Sequence, residues 1–286
     1  MNILTRRQTL RLTVLAALAL LLSPPAWAQN RANEGLTETV LRVPLARGST
    51  ISVLVSQRTG TTPRTAVLLF AGYPGILYLR ETAGVPVFEM GGNFLIRARR
   101  FLNGDKTFTV AVDCPQDQWN NCDDGYRMSA QHADDVKAVM DAIATQTQAD
   151  KMYLVGTSYG TVSTSFLAQA LQGQIAGAVH TATMTNPGNG RLAHGRPMAN
   201  FDWSKATSAQ LFVHHKNDPC FATRYDSVLA RKGSVPLITV QGSDDARGPA
   251  CEARSAHGFV GRERVAMQAI QDWITDRKLP DTVGEP

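Results

Sequence analysis

The hydrophobic residues of this chain fall into short runs rich in Val, Leu and Ile, bounded by turns or by stretches with helical spacing. Runs that are apolar on both faces are typical of strands in a parallel sheet that helices cover on both sides. Residues 39–45 and 51–56 alternate instead, which predicts an antiparallel opening pair around a turn at Arg47-Gly48-Ser49. The later predicted strands are residues 66–70, 107–112, 152–155, 175–180, 210–214 and 236–240.

Between these runs, apolar residues recur at the spacing of an amphipathic helix. A long helix is predicted over residues 128–145, with Val136, Val139 and Ile143 on one side. Shorter helices are predicted over residues 93–102, 159–171 and 260–274. Strands that alternate with helices indicate an α/β fold with a doubly wound, mainly parallel sheet of about eight strands.

The first residues have the organisation of an export signal rather than of a folded element. Three arginines accompany an apolar run at residues 12–22, and Ala26-Trp27-Ala28 has the small-x-small form of a signal-peptidase site. The run is too short to cross a bilayer comfortably, which takes roughly 20 residues. The sequence therefore favours a cleaved signal peptide at residues 1–28 over an uncleaved anchor.

An export signal also predicts the compartment. Residues 5–10 resemble a twin-arginine signal but carry Thr9 where an aromatic residue is common, so the Sec and twin-arginine routes both stay open. No cysteine follows the cleavage site, which argues against a lipoprotein. We expect a bacterial protein that is periplasmic or secreted, with a single domain over residues 29–279 and a flexible tail at residues 280–286.

The charge of the chain gives little indication of a macromolecular partner. The formal net charge of +5 falls to +2 without residues 1–28, because that segment holds three arginines and no acidic residue. Arg97-Ala98-Arg99-Arg100 is interpreted as one solvated helix face. We expect no nucleic-acid partner and no stable membrane anchor after signal cleavage.

Four cysteines, an even number in a chain predicted to reach an oxidising compartment, predict two disulfides. Cys114 and Cys122 flank a short polar loop, so a local bridge between them is expected, and Cys220 and Cys251 are left to each other. The four are not grouped as two tight pairs, which disfavours zinc.

A candidate nucleophile lies in the stretch MYLVGTSYGTV, residues 152–162. Gly156-Thr157-Ser158-Tyr159-Gly160 follows a predicted strand and opens a predicted helix. In this strand–turn–helix context a G-x-S-x-G pattern is typical of a nucleophilic serine, because the tight turn projects the hydroxyl at a helix N-terminus. The elbow glycines Gly156 and Gly160 would prevent a clash between strand and helix.

A serine hydroxyl needs a base to remove its proton and an acid to orient that base. In this type of sheet both should follow the serine along the chain, on loops after later strands. His257, directly before the last helix, is the predicted base, and Asp218, just past a predicted strand end, is the predicted acid. The acid alternatives are Asp226, Asp244 and Asp245, and the less favoured histidines are His132, His180, His194, His214 and His215.

The oxyanion that forms during acyl transfer needs two preorganised N–H donors. Tyr159, next to the candidate nucleophile, is predicted to supply one backbone N–H. Tyr73 is predicted to supply the other, from the loop Gly72-Tyr73-Pro74-Gly75 after the strand at residues 66–70. A Cys220–Cys251 bridge would also tie the acid loop to the histidine loop.

These residues resemble those of α/β-hydrolase-fold serine hydrolases, over residues 39–274. Gly156-Thr157-Ser158-Tyr159-Gly160 carries the resemblance, with Asp218 and His257 in family order. The loop at residues 72–75 is similar to the family's H-G-x-P-G loop, although Ala71 replaces its histidine. The resemblance implies the α/β-hydrolase fold and acyl-transfer chemistry, with no metal or organic cofactor because the triad supplies its own base.

The predicted substrate is a small ester or a peptide. Residues 183–208, where family members often carry a lid, are short and rich in Asn, Gly and Pro, so a minimal cap is expected. The first hypothesis is a carboxylic-ester hydrolase. An exported peptidase is the alternative, because Gly-x-Ser-Tyr-Gly-Thr resembles the elbow of proline-type aminopeptidases, and a catalytically silent binding protein is the third. Tyr78, Val85 and Phe88, and more weakly Trp119, are candidates to line the acyl pocket.

Overall fold

The computed structural model of the chain describes residues 33–120, 122–186, 196–242 and 246–285. The predicted export signal at residues 1–28 lies outside the described residues. Within the described ranges, no helix is both long and apolar enough to cross a membrane.

The eight strands that the hydrophobic pattern predicts all form, with bounds shifted by a few residues. They are β1 (Leu36–Pro44), β2 (Thr50–Arg58), β3 (Thr65–Phe70), β6 (Thr107–Val112), β7 (Lys151–Thr157), β8 (Gly177–Thr181), β9 (Ala209–His215) and β10 (Leu237–Val240). Three short strands are additional, namely β4 (Arg80–Thr82), β5 (Val85–Val87) and β11 (Thr282–Val283).

Among the described residues, nine of these strands form one sheet in the order β1-β2-β6-β3-β7-β8-β9-β10-β11, and β4 and β5 form a separate hairpin. The β1–β2 and β2–β6 pairs are antiparallel, and the remaining neighbours in the large sheet are parallel. The mainly parallel, doubly wound sheet is therefore confirmed. Because β3 and β7 are neighbours, the loops after them meet at the same edge of the sheet.

Helices cover both faces of the sheet, as the apolar strands require. They are α1 (Phe94–Ala98), α2 (Asp124–Arg127), α3 (Ala130–Thr147), α4 (Gly160–Ala170), α5 (Tyr225–Arg231) and α6 (Glu263–Asp276). Successive strand residues point to opposite faces. In β7, Val155 belongs to the core with Ile270 of α6, whereas Leu154 belongs to the core with Val136 of α3 and Leu167 of α4.

The structure differs from the sequence prediction at the C terminus. A flexible tail is predicted over residues 280–286, whereas β11 extends the sheet beside β10. The backbone N–H of Thr239 donates to the carbonyl of Asp281 at 2.9 Å, and that of Gln241 donates to Val283 at 2.9 Å. A sheet edge offers unpaired backbone groups, which a polar segment can pair with as well as an apolar one.

The basic stretch at residues 97–100 is also not the solvated face that the sequence predicts. The Arg99 side chain is 2% exposed and forms two hydrogen bonds, at 2.7 and 3.0 Å, with the carboxylate of Glu38 in β1. Arg97 lies against Glu263 of α6 at 2.9 Å. Buried charges are tolerated when they are paired in this way, and neither partner is close to the stretch in sequence.

Candidate active site

Ser158 lies in the turn between β7, which ends at Thr157, and α4, which begins at Gly160. Its φ of 52° is in the left-handed region, which is strained for a residue with a side chain and is found mostly at functional sites. The Ser158 N–H donates to the carbonyl of Thr181 at 3.0 Å, and the Thr161 N–H donates to the Ser158 carbonyl at 2.9 Å. The surrounding backbone therefore holds the serine in this conformation.

The two glycines around the serine leave room for neighbouring backbone. A Cβ on Gly156 would lie 2.6 Å from the carbonyl oxygen of Gly160 and 2.7 Å from Thr164 Oγ1. A Cβ on Gly160 would collide with the carbonyl oxygens of Phe70 and Ala71 at the end of β3. Any other residue at either position would push the helix away from the sheet.

His257 and Asp218, the predicted base and acid, are brought into contact. Asp218 follows the end of β9, and His257 lies in a 3₁₀ turn at Ala256–Gly258 before α6. His257 Nδ1 is 3.2 Å from Asp218 Oδ2, and their side chains are 6% and 0% exposed. Burial alone would raise the pKa of Asp218, but the charge and hydrogen bond of His257, helped by His214 and the Cys220 N–H, hold that pKa below its usual range. The carboxylate is thus suited to orienting an imidazole and stabilising its protonated form.

Thr223 is a third member of this contact, and sequence reasoning missed it. Its buried hydroxyl donates to Asp218 Oδ2 at 2.8 Å and lies 2.9 Å from His257 Nδ1. The N–H of Cys220 donates to the other carboxylate oxygen at 2.9 Å. Nothing in the local pattern marks Thr223, because its role depends on the loop that carries His257.

One cavity of about 370 Å³ brings the candidate residues together. Ser158 and His257 both line it, and so do Tyr73 and Tyr159, whose backbone N–H groups are the predicted oxyanion donors. Asp218 is not part of the lining and lies in contact with His257. The cavity thus holds a nucleophile candidate and its base candidate, with the acid candidate buried beyond the base.

The loop that carries Tyr73 lies directly against the serine turn. A Cβ on Gly72 would be only 3.2 Å from the Cβ of Ser158. The rings of Tyr73 and Tyr159 have centroids 6.0 Å apart. The two predicted donor residues therefore lie close to Ser158 and to each other.

Both predicted disulfides are confirmed. Cys220 pairs with Cys251, and Cys114 pairs with Cys122. Cys220 and Cys251 both line the cavity. Their bridge joins the loop of Asp218 to the segment that leads to His257, as the sequence predicts.

The less favoured candidates lie elsewhere or have other partners. Four of the less favoured histidines are buried, and each has a pKa that burial lowers, to about 3 for His132 and to about 4 for His180 and His214, with His215 also lowered. His180 is a satisfied core residue, with Thr164 Oγ1 at 2.9 Å and Gln210 Oε1 at 3.2 Å. Asp226 lies on α5. His194, Asp244 and Asp245 lie outside the described residues.

The predicted pocket walls are wrong in detail. Within the described residues, the cavity lining omits Tyr78, Val85, Phe88 and Trp119. Tyr78 instead packs on Trp119, with ring centroids 5.0 Å apart, because both lie near the Cys114–Cys122 loop. The apolar lining comes from Met90, Phe94, Met184 and Phe221. The predicted minimal cap falls partly on residues 187–195, outside the described ranges, and its described end forms 3₁₀ turns at Arg196–Asn200 and Trp203–Lys205.

The described residues contain no group of three or more His, Cys, Asp or Glu side chains that could hold a metal ion. The chemistry that this site can perform with its own groups is proton transfer through His257 and nucleophilic attack by Ser158.

Comparisons with known proteins identify the fold of the chain. Residues 124–246, less than half of the chain, match the sequence profile of the family described as serine aminopeptidase, S33. A sequence search of curated proteins found no match.

Solved structures are similar to most of the chain. Est1E from Butyrivibrio proteoclasticus is 14% identical with a TM-score of 0.55, over 83% of this chain and 98% of that one. A serine hydrolase without lid from Xanthomonas campestris is 15% identical with a TM-score of 0.52, over 87% and 97% of the two chains. A cold-adapted esterase from an Arctic intertidal metagenomic library is 13% identical with a TM-score of 0.52, over 82% and 97%. At these identities the likeness shows the fold, which is that of the α/β hydrolases, as the sequence resemblance implies.

Proposed function

We propose that this chain, whose fold is that of the α/β hydrolases, is a serine hydrolase that cleaves a carboxylic ester through an acyl-enzyme on Ser158. The observation that carries the proposal is that Ser158 and His257 line one cavity, while His257 contacts the buried Asp218 carboxylate at 3.2 Å. A base that is oriented by a buried acid and faces the same cavity as a strained serine is the arrangement that activates a hydroxyl.

In the first half-reaction the Ser158 oxygen attacks the ester carbonyl carbon, and its proton passes to His257 Nε2. The negative charge on the carbonyl oxygen is stabilised by the backbone N–H groups of Tyr73 and Tyr159. The bond to the alcohol oxygen then breaks, His257 returns the proton to that oxygen, and the acyl group stays on Ser158. Water attacks the acyl-enzyme in the same way, with its proton passing through His257 to Ser158, and the carboxylic acid leaves.

The cavity lining supports a small ester with an apolar part. Met90, Phe94, Met184 and Phe221 offer apolar surface, and the volume of about 370 Å³ is in the range of small-molecule sites. The resemblance to esterase structures supports the same interpretation at the level of the fold.

Turnover of p-nitrophenyl acetate and butyrate by the wild type and by Ser158→Ala tests this function. We expect the wild type to turn over at least one ester and Ser158→Ala to lose about 10⁴-fold or more in kcat, with unchanged thermal unfolding. Equal rates in the two proteins would refute the assignment of Ser158. A fluorophosphonate probe should label the wild type and not the variant, and failure to label folded wild type would favour the binding-protein hypothesis.

A peptidase is the second candidate, favoured by the match of residues 124–246 to the serine aminopeptidase profile. The cavity lining also includes Glu252, whose carboxylate is suited to the free amino group of a peptide N-terminus. Aminoacyl and prolyl p-nitroanilides separate the two functions, because a peptidase should cleave them and an esterase should leave them intact.

We also propose that the protein is exported and that residues 29–279, together with the added strand β11, form its single hydrolase domain. Two disulfides support an oxidising compartment. Fractionation of the expressing cells with N-terminal sequencing tests this, and we expect a periplasmic or extracellular protein that begins at Gln29.

A further inference from the structure

Arg127, at the end of α2, is a buried cation that touches three segments around the proposed active site. Arg127 is only 3% exposed. Nε donates to the carbonyl of Cys122 at 3.1 Å, Nη1 donates to Ser163 Oγ in α4 at 3.0 Å, and Nη2 donates to the carbonyl of Pro74 at 3.2 Å. One guanidinium therefore joins the disulfide loop, the helix after Ser158 and the loop after β3.

The same guanidinium lies over the ring of Tyr159, with Cζ 4.6 Å from the ring centroid. A cation over an aromatic face is favourable, and more so when both are desolvated. Pro74 directly follows Tyr73, and Tyr159 directly follows Ser158. Arg127 therefore contacts the main chain beside one proposed oxyanion donor and the side chain of the other.

Gly75 shows that this contact is built into the loop. Its φ of +74° is in the region that favours glycine, and a Cβ at this position would collide with Nη2 of Arg127. A residue with a side chain at position 75 would push the guanidinium away from Pro74. The glycine of the predicted Gly72-Tyr73-Pro74-Gly75 loop is thus required by Arg127 as well as by the turn.

The position of Arg127 is costly for the folded state. An arginine stays protonated in proteins, and removing its charge from water is unfavourable. Burial lowers the pKa of Arg127, and Tyr159, Tyr126 and Asp124 offset part of that effect. The groups that accept its hydrogen bonds from the disulfide loop, α4 and Pro74 are neutral, and the Asp124 carboxylate offsets part of its charge. The positive charge is therefore held in a region of low dielectric, against the Tyr159 ring and the Pro74 carbonyl. There, a fixed charge acts more strongly on a developing negative charge than it would in water.

We propose that Arg127 is a positioning residue for the hydrolysis proposed above, fixing the distance between the Tyr73 and Tyr159 N–H groups and supporting the oxyanion with its charge. This inference rests on the proposed function. It places Arg127 behind the oxyanion donors, without contact to substrate. A planar, multidentate donor is needed for this role, because a lysine ammonium cannot reach three acceptors and stack on a ring at once.

Arg127→Lys, with Arg99→Lys as the matched control, tests the proposal. Both arginines are almost fully buried, but Arg99 pairs with Glu38 on the far strand β1 and is not part of the cavity lining. We expect Arg127→Lys to lower kcat for p-nitrophenyl butyrate about 10- to 100-fold with little change in KM, as a small misplacement of catalytic groups does. Arg99→Lys should lose thermal stability without losing kcat. An Arg127→Lys variant that loses stability but keeps kcat would overturn the proposal.

Binding of an alkylboronic acid supplies a readout that a merely structural role would not move. Its boron forms a bond to the Ser158 oxygen while the hydroxyl proton passes to His257, and the resulting tetrahedral boronate anion resembles the oxyanion intermediate. We expect the affinity of Arg127→Lys for butylboronic acid to fall by the same factor as kcat/KM, while inhibition by butyrate, which resembles the product, is unchanged. Equal losses for both ligands would overturn the proposal.

Gly75→Ala tests the same contact if Arg127→Lys does not fold. Gly84→Ala is its matched control, because Gly84 has a similar φ of +76° but no atom within 4 Å of the position that a Cβ would take. Backbone strain should then be alike in the two variants, and only Gly75→Ala should lower kcat and boronic-acid affinity together. Equal kcat in the two alanine variants would count against Arg127. A wild type with no ester or peptide turnover and no boronic-acid binding would instead show that the proposed function itself is wrong.

Discussion

Replacing Thr223 by valine tests whether its hydroxyl links Asp218, the proposed acid, to His257, the proposed base. Thr223 Oγ1 is 2.9 Å from His257 Nδ1, closer than the Asp218 carboxylate, which is at 3.2 Å. The single hydroxyl hydrogen donates to Asp218, so the oxygen lone pairs are available to the imidazole N–H. Valine keeps the branched shape and removes both contacts.

The expected loss follows from the charge and burial of Asp218. A hydrogen bond to a charged group contributes about 1.5–3 kcal/mol, and the fully buried Asp218 side chain has no access to water that could replace it. We expect Thr223→Val to lower the free energy of unfolding at pH 7 by about this amount. The imidazole keeps its direct contact with Asp218 but is less well oriented, so kcat should fall about tenfold, which corresponds to roughly 1.4 kcal/mol in the barrier.

The stability difference should also depend on pH. The pKa of Asp218 is lower in the folded protein than usual, so its contribution to stability is present above the unfolded pKa of about 3.9 and is lost as the pH falls through the folded value. Valine removes a donor to the carboxylate and therefore raises the folded pKa. The difference between wild type and Thr223→Val should be largest near pH 7 and shrink below about pH 4.

Urea unfolding from pH 7 down to about pH 2, which spans the range in which a carboxylate of lowered pKa loses its contribution, and p-nitrophenyl butyrate kinetics at pH 7 measure the two effects. Thr223→Ser is the matched control, because it keeps the hydroxyl, and it should retain most of the activity. If the valine and serine variants lose the same activity, the lost methyl group and packing explain the effect, and the hydroxyl has no role. A valine variant with wild-type kcat and a wild-type pH dependence of stability would refute the reasoning outright.

Three further changes test other links around the site. Serine at both Cys220 and Cys251 should lower the free energy of unfolding by about 2–4 kcal/mol and reduce kcat, measured by urea unfolding and ester turnover. Asp113→Asn should lower the free energy of unfolding by about 1–3 kcal/mol. The carboxylate accepts three backbone N–H bonds, whereas an amide has only one acceptor oxygen. Since burial raises the pKa of Asp113 to about 6, the wild type should lose stability as the pH rises from about 4 to 6, and the variant should lack that slope in urea titrations. Arg97→Met should lower kcat and melting temperature together, because Arg97 holds the carbonyl of Gly258, next to the candidate base, at 2.6 Å; an unchanged kcat would show that this bond does not position the histidine.

The strands, most helices and the three main site candidates could be predicted because each depends on local pattern or chain order. The apolar runs mark the strands, and the glycines around Ser158 mark a turn that only a strand and a helix can flank. Asp218 and His257 follow from the order in which parallel strands deliver their loops to one edge of the sheet. In each case the information lies within a few residues or in a general rule of topology.

The errors have a common physical cause, which is pairing between segments far apart in sequence. Arg99 is predicted to be solvated because its local neighbours are charged. Its side chain is instead buried and forms an ion pair with Glu38 of β1. Residues after 279 are predicted to be a free tail because they are polar, yet their backbone pairs with β10. Thr223 and Arg127 carry no local signal, because each also contacts segments distant in sequence: Thr223 contacts His257, and Arg127 contacts Pro74 and Ser163.

The proposed acid and base are held by a disulfide and by a hydroxyl group, which are expected to affect stability and catalytic rate to different degrees. The Cys220–Cys251 bridge limits how far the two loops can separate, which mainly reduces the freedom of the unfolded chain. The Thr223 hydroxyl contacts the imidazole of His257, the proposed base, and therefore restricts its orientation. A bridge alone would keep the loops near each other without selecting one imidazole position, and a hydroxyl alone would select a position only after the loops had met. Because catalysis depends on geometry at the scale of about 1 Å, the hydroxyl should control rate more strongly than the bridge does, and the bridge should control stability more strongly than the hydroxyl.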